Sequence, residues 1–295
     1  LDCVSFVSLG LCFVCISWTV FRLYLLDCVS FEQIAIAVPG HFKASKLGSV
    51  IQAAQQACIS VNHVLDNSLA GLLSAPVVPE GETLWVVDVH WSAADVVRIS
   101  RSANAVERSE VISDRGLGLR LILDRLIDGV GKRFIDECRF DPMARPEYAQ
   151  ELYNQVFDCL SDSAGSGSQI LETAKGSITV DRTILSGMIE TELRGLQQMV
   201  VKAGGEEGSI LLSSRANMIP GFLSGLKSEK ASNILSMSSG QSALGALAFM
   251  HSLGGGQSSD QPLYHTRVEF SSKARSLYQS IVTTAGICKS TSSYR

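Results

Sequence analysis

The sequence predicts an α/β fold, and three observations carry that expectation. An apolar strand, Ile34–Val38, stops at Pro39-Gly40 and leads into a helix-spaced apolar set, Leu47, Val50, Ile51, Ala54 and Cys58. A second apolar run, residues 59–65, completes a strand–helix–strand unit. Residues 82–89 (ETLWVVDV) then read as a further buried strand. With 295 residues, 46% hydrophobic and 18% charged, the chain can fill one large domain or two lobes with their own cores. A net charge of −4 provides no basic field for nucleic acid, so no nucleic-acid partner is expected.

Residues 1–31 stand apart as an apolar leader. From Cys3 to Phe21 there is no charged residue before Arg22, a run long enough to span a bilayer. Leu1-Asp2-Cys3-Val4-Ser5-Phe6 recurs as Leu26-Asp27-Cys28-Val29-Ser30-Phe31. Membrane anchor, signal remnant and gene-model fault are three readings of equal weight, and a membrane partner follows only from the first. Cys12-Phe13-Val14-Cys15 has the spacing of a redox or metal pair, yet no second pair or nearby histidine completes four ligands. His41, His63, His90, His251 and His265 include no helix-spaced pair, so each is expected to be an ordinary surface or core histidine.

In order after the leader, Ser45 is the expected cap of the first helix, and Asp66-Asn67-Ser68 forms a polar corner able to face a ligand. Pro76 and Pro79 mark a loop. The strand at 82–89 leads through His90-Trp91-Ser92-Ala93-Ala94-Asp95 into Val96, Val97 and Ile99, a hairpin with a solvated polar tip. A helix opens at Leu117-Gly118 and reaches Phe134. Gly116-Leu117-Gly118 lacks the third glycine of a dinucleotide fingerprint, and Arg133 stands where a P-loop has Ser or Thr. A helix over 146–161, a Ser/Gly loop over 161–168, a strand over 178–182 and a helix over 184–199 follow. A strand over 210–213 leads to the turn Ser214-Arg215-Ala216-Asn217-Met218-Ile219-Pro220, where Arg215 is expected to be a solvated loop residue. A small-residue helix occupies 239–253. Beyond Gly254-Gly255-Gly256-Gln257, residues Tyr264, Thr266, Val268 and Phe270 alternate as one face of a strand.

The succession of these segments resembles the nucleotide-binding domain of the seventy-kilodalton heat-shock chaperones (DnaK type). It is carried by Ala37-Val38-Pro39-Gly40-His41-Phe42, by Leu65-Asp66-Asn67-Ser68-Leu69-Ala70, by the Asp88 hairpin, by the Leu117-Gly118 helix and by Ile219-Pro220. The Asp-Asn corner is closest in wording to the large endoplasmic-reticulum, hypoxia-up-regulated and glucose-regulated branch. The resemblance runs from about Phe31 to Phe270 and implies an actin-like ATPase (ribonuclease H-like) fold. Residues 32–85 would be the remaining part of lobe I and 86–253 lobe II. Residues 254–295 would be a linker and the truncated start of a β domain.

By resemblance, Asp66 and Asp88 would serve catalysis, with Asp88 holding the water shell of Mg²⁺. Ser92, Gly118, Ser214, Arg215 and Asn217 would line the ATP/ADP site. Unfolded polypeptide clients and co-chaperones are the implied partners, in a stress response. The implied place is the endoplasmic-reticulum lumen, with the cytoplasm as the alternative. Departures from the family pattern set the expectation for activity. His90, Trp91 and Ser92 stand where glycines would let backbone N–H groups approach phosphate, and Ser214 and Arg215 replace glycines beside the adenosine. Asn154 and Phe157 fall where the family has an adenosine-gripping Glu and Lys. Weak or absent ATP hydrolysis is therefore expected, and a non-enzymatic actin-like scaffold is the alternative. A hydrolase reading of Gly240-Gln241-Ser242-Ala243-Leu244-Gly245 is set aside, because the second glycine comes one position late for a nucleophile elbow.

Overall fold

A computed structural model of the chain describes residues 5–8, 11–13, 34–74, 83–102, 105–161, 167–173, 175–204, 208–228, 233–253 and 262–269. The first elements are β1 (Ser5–Ser8), β2 (Leu11–Phe13), β3 (Ile34–Val38), α1 (Ala44–Gln56), β4 (His63–Asp66) and α2 (Asn67–Leu73). Next come β5 (Leu84–Val89), β6 (Ala94–Arg101), β7 (Ala105–Asp114), α3 (Leu119–Cys138), α4 (Pro146–Ser161), β8 (Gln169–Thr173) and β9 (Gly176–Val180). The remainder are α5 (Arg182–Met188), α6 (Glu190–Lys202), β10 (Ser209–Leu212), α7 (Ser214–Met218), α8 (Phe222–Ser228), β11 (Asn233–Ser236), α9 (Gln241–Ser252), β12 (Leu263–His265) and β13 (Arg267–Glu269). The fold is therefore mixed α/β, as expected. The described residues form two compact units. A central unit lies within Val87–Val96 and Ile112–Ser236, and a terminal unit within Asp2–Val86, Val97–Val111 and Met237–Arg295.

In the terminal unit the sheet order is β12-β4-β3-β1-β2. β3, β4 and β12 run parallel, whereas β1 is antiparallel to both β3 and β2. β3 is buried at every position, as a strand covered on both faces must be. The Leu47, Val50 and Ile51 face of α1, together with Ala54, packs on Ile34, Ile36, Val38 and Val64. Ser45 does not cap this helix. It lies inside the first turn, and Lys43 occupies the cap position with no side-chain bond. Cys58 does not extend the apolar face either. It is exposed and left-handed at φ 58°, and Ile59 N–H reaches back to Ala54 O, which ends the helix in a Schellman-type turn. Residues 59–62 lie outside the strand, which begins at His63, and Asn62 joins this approach to β3. Its Oδ1 accepts from Ile34 N at 2.9 Å, and its own N–H donates to Ile34 O at 2.9 Å.

α2 and α9 cross at very close range. A Cβ on Gly245 would collide with Ala70 O, and one on Gly71 would lie 2.6 Å from Met237 Sδ. The terminal unit also contains the first half of β7, with β13 beside it in antiparallel register, Arg267 opposite Glu107. The alternation at Tyr264, Thr266 and Val268 does not form one strand. It breaks at Thr266, and its halves join β4 and β7. Phe270 lies outside the described residues, as does most of the leader. Two leader segments are the strands β1 and β2, and Val14 and Cys15 of the Cys pair fall outside the description. Among the described residues no helix is long and apolar enough to cross a membrane.

The second sheet has the order β11-β10-β5-β6-β7-β13, with β10 and β11 parallel. α3 buries Leu119, Ile122, Leu123, Leu126, Ile127, Val130 and Phe134, the i, i+3, i+4, i+7 stripe of a core-facing helix. The expected helix over 184–199 is two helices, α5 and α6, jointed at Ile189. The expected strand over 178–182 is β9, which forms a hairpin with β8. Gln155 of α4 clasps that hairpin through both ends of its amide, accepting from Glu172 N at 2.8 Å and donating to Glu172 O at 2.7 Å.

Candidate functional site

The central unit gathers Asp88, His90, Asp95, Ser213 and Arg215 into one buried polar cluster. Asp88 and His90 lie at the end of β5, and Asp95 at the start of β6. The hairpin between the strands is closed by His90 N–H to Ala93 O at 2.8 Å. Ser213 follows β10 and donates its N–H to Val87 O at 2.9 Å, and its hydroxyl caps α7 by accepting from Ala216 N at 3.1 Å. That cap starts a helix where the sequence implied an open turn. The helix swings Arg215 inward. Its Nη2 lies 3.2 Å from Oδ1 and 3.3 Å from Oδ2 of Asp88. Arg215 is thus an ion-pair partner and not a solvated loop residue.

His90 completes the cluster from the other side. Its Nε2 is 3.1 Å from Asp95 Oδ2 and 3.6 Å from Asp88 Oδ2, and its Nδ1 is 3.4 Å from Arg215 Nη2. The hairpin tip is therefore not simply solvated. Ser92 is exposed, but Asp88, His90 and Asp95 are each at most 1% exposed. Burial pushes the Asp88 carboxyl up, but Arg215, His90 and the Ser213 hydroxyl outweigh it and hold the group at about 2. Burial pulls the His90 imidazole down, whereas the negative charge of Asp88 and the bond to Asp95 raise it above its ordinary value.

Gly118 and Ser92 are brought together, but as packing. A Cβ on Gly118 would sit 2.6 Å from Trp91 O and 2.6 Å from the Ser92 carbonyl carbon, so only glycine fits. The first N–H groups of α3 are taken by the same hairpin. Leu119 N–H donates to His90 O at 2.8 Å and Arg120 N–H to Trp91 O at 3.0 Å. Helix N-termini commonly receive anions through such groups. Ser214 and Asn217 lie on α7, and Asn217 Oδ1 accepts from Ser236 Oγ at 3.2 Å.

Asp66 belongs to the terminal unit and is fully occupied there. It caps α2, with Oδ1 accepting from Ser68 N at 2.9 Å and Leu69 N at 3.3 Å. Its Oδ2 accepts from Arg108 Nη1 at 2.7 Å. Arg108 also donates to Gly40 O at 3.2 Å and Tyr264 Oη at 2.9 Å. Burial raises the Asp66 carboxyl, against the pull of Arg108 and the two backbone N–H groups. Ser242, of the discarded hydrolase reading, donates to Asn67 O at 3.2 Å on the first turn of α9.

Sequence reasoning missed Arg108, His90 as a cluster member, and a contact between His63 and His265, whose Nδ1 and Nε2 are 3.2 Å apart. No spacing could reveal the Arg108 and His265 contacts, since 42 residues separate Arg108 from Asp66 and 202 separate the two histidines. The chain matches no protein-family model and no curated protein.

Proposed function

We propose that this chain is a divergent actin-like (ribonuclease H-like) module of the seventy-kilodalton heat-shock chaperone type that works through protein contacts and without ATP hydrolysis. The strand order of the second sheet supports the fold. A β5-β6-β7 meander has the parallel pair β10 and β11 added on the β5 side, the order 5-4-1-2-3 of such lobes. One observation carries the functional part. Asp88, the carboxylate that the resemblance would give to Mg²⁺, is bonded by Arg215 through both oxygens and flanked by His90. A divalent ion there would have to displace a guanidinium from a buried carboxylate. The Gly118 packing and the two hairpin bonds of α3 likewise leave those backbone groups engaged with protein. Unfolded or partly folded polypeptide is the partner class by resemblance, and the endoplasmic-reticulum lumen the place. The non-enzymatic scaffold fits Asp88 better than the hydrolysing chaperone does.

The test is binding and turnover of Mg·ATP and Mg·ADP by the purified chain. A ligand held only by the native state must raise its melting temperature. The expected result is no shift at millimolar nucleotide and no steady phosphate release. Micromolar affinity with sustained hydrolysis would overturn the reading.

A further inference from the structure

We propose that His63 and His265 form a two-histidine site for a late first-row divalent cation of the zinc or nickel class, which pins β12 to β4. The two residues lie on neighbouring parallel strands, with Leu263 opposite His63 and His265 opposite Leu65. A two-residue offset on parallel strands returns both side chains to one face of the sheet. His63 Nδ1 and His265 Nε2 are 3.2 Å apart. Metal–imidazole bonds of about 2.0–2.1 Å put two nitrogens about 2.9 Å apart at a right angle and about 3.4 Å apart at a tetrahedral angle. The observed separation lies between those limits, so the backbone already holds the nitrogens at the bite of one cation. The ring planes are 46° apart.

The surroundings suit imidazole–metal chemistry. Burial keeps His63 below its ordinary value, and burial with the neighbouring imidazole holds His265 at about 4, so both are neutral ligands at pH 7. Phe249 packs edge-on against both rings, with centroids at 5.9 Å and 4.7 Å. His265 opens on a cavity of about 230 Å³ that Ser252, Arg267 and Glu269 also line. Arg267, which lines the same cavity, is held at 3.1 Å by Glu107 and at 3.3 Å by Glu269. Binding releases no net proton at neutral pH. The imidazole that donates the N–H···N bond moves its proton to its other ring nitrogen, and each ring then offers one lone pair.

The experiment uses the full chain in a non-chelating buffer, titrated with Ni²⁺ and Zn²⁺ while heat and melting temperature are followed. One ion per chain and a melting temperature that rises and falls back with EDTA are expected. His265→Gln, at a half-buried position that tolerates an amide, should weaken binding at least tenfold, and His251→Gln should leave it unchanged. Imidazole ¹⁵N spectra give a readout independent of any variant's folding: His63 Nδ1 and His265 Nε2 should both shift, with one ring changing tautomer. Unmoved signals from those two nitrogens, or affinity undiminished in His265→Gln, would overturn the proposal.

Discussion

At the scale of single residues, Arg215 and Asp88 are the most informative pair. Asp88 is at the end of a fully buried strand, so removing its guanidinium partner leaves a carboxylate with a large desolvation cost. Arg215→Met should lower unfolding free energy by about 3 kcal/mol, measured by urea denaturation. The double variant Arg215→Met with Asp88→Leu should recover most of that loss, since the costly species is the unpaired charge. The same cluster sets a pH dependence with two limbs of opposite sign. Asp88 is held at about 2, below its ordinary 3.8, so its contribution is complete above 3.8 and disappears as pH falls towards 2. His90 is raised above 6.5, so its contribution is complete below 6.5 and disappears as pH rises through the raised value. Asp66 is raised and acts against Asp88 in acid, so the acid limb is best read as wild type minus Asp88→Asn. In His90→Gln the loss of stability on the alkaline side should vanish. An alkaline limb that persists in that variant would assign it to another group.

At the scale of elements, two helix starts show how local chemistry is enlisted for tertiary purposes. α2 has only seven residues, too few to stand alone in water, and its cap Asp66 is also the anchor of Arg108. Asp66→Asn keeps an acceptor for Ser68 and Leu69 N–H but weakens the Arg108 bond, whereas Asp66→Ala loses both. We expect Asp66→Ala to cost about 1 kcal/mol more than Asp66→Asn in thermal or urea unfolding, the usual worth of a cap. The crossing of α2 and α9 tests packing instead of polarity. Because a Cβ on Gly245 meets the Ala70 carbonyl, Gly245→Leu must separate the helices. A loss of about 3 kcal/mol is expected, and a melting temperature within about 1 °C of wild type would show that the helices do not meet as described. α1 differs in kind, since Ala54 is its one fully buried residue. Its amides should exchange with deuterium well before those of β3, every residue of which is buried.

At the scale of the whole molecule, the chain belongs to the mixed α/β class, and its proposed use as a non-hydrolysing actin-like module concerns which contacts occupy its carboxylates. Both candidate catalytic groups, Asp66 and Asp88, are bonded to arginines within their own units. Arg215→Ala removes the guanidinium from Asp88, so on the proposed reading it is the variant in which a nucleotide-dependent shift in melting temperature should first emerge. A shift in the wild-type chain would contradict the proposal, and a shift confined to Arg215→Ala would support Arg215 as the closing residue.

Much of the element order was legible from pattern. The Ile34–Val38 strand, the 146–161 helix and the small-residue helix near 239–253 emerge nearly as expected, because periodic burial and Pro or Gly punctuation are local signals. The misses have local causes too. The joint at Ile189 and the Schellman end at Cys58 depend on backbone angles that a run of helix-forming residues does not advertise. The split at Thr266 arises because Leu263–His265 pair with β4 and Arg267–Glu269 with β7. The sequence by itself determined the α/β class, the buried strands and the identity of the acidic candidates, since hydrophobic period and residue chemistry are properties of short segments. Only the tertiary structure decided what those acids do. Coulombic and hydrogen-bond partners act over a few ångströms in space, and Arg215 and Arg108 lie 127 and 42 residues along the chain from the carboxylates they hold.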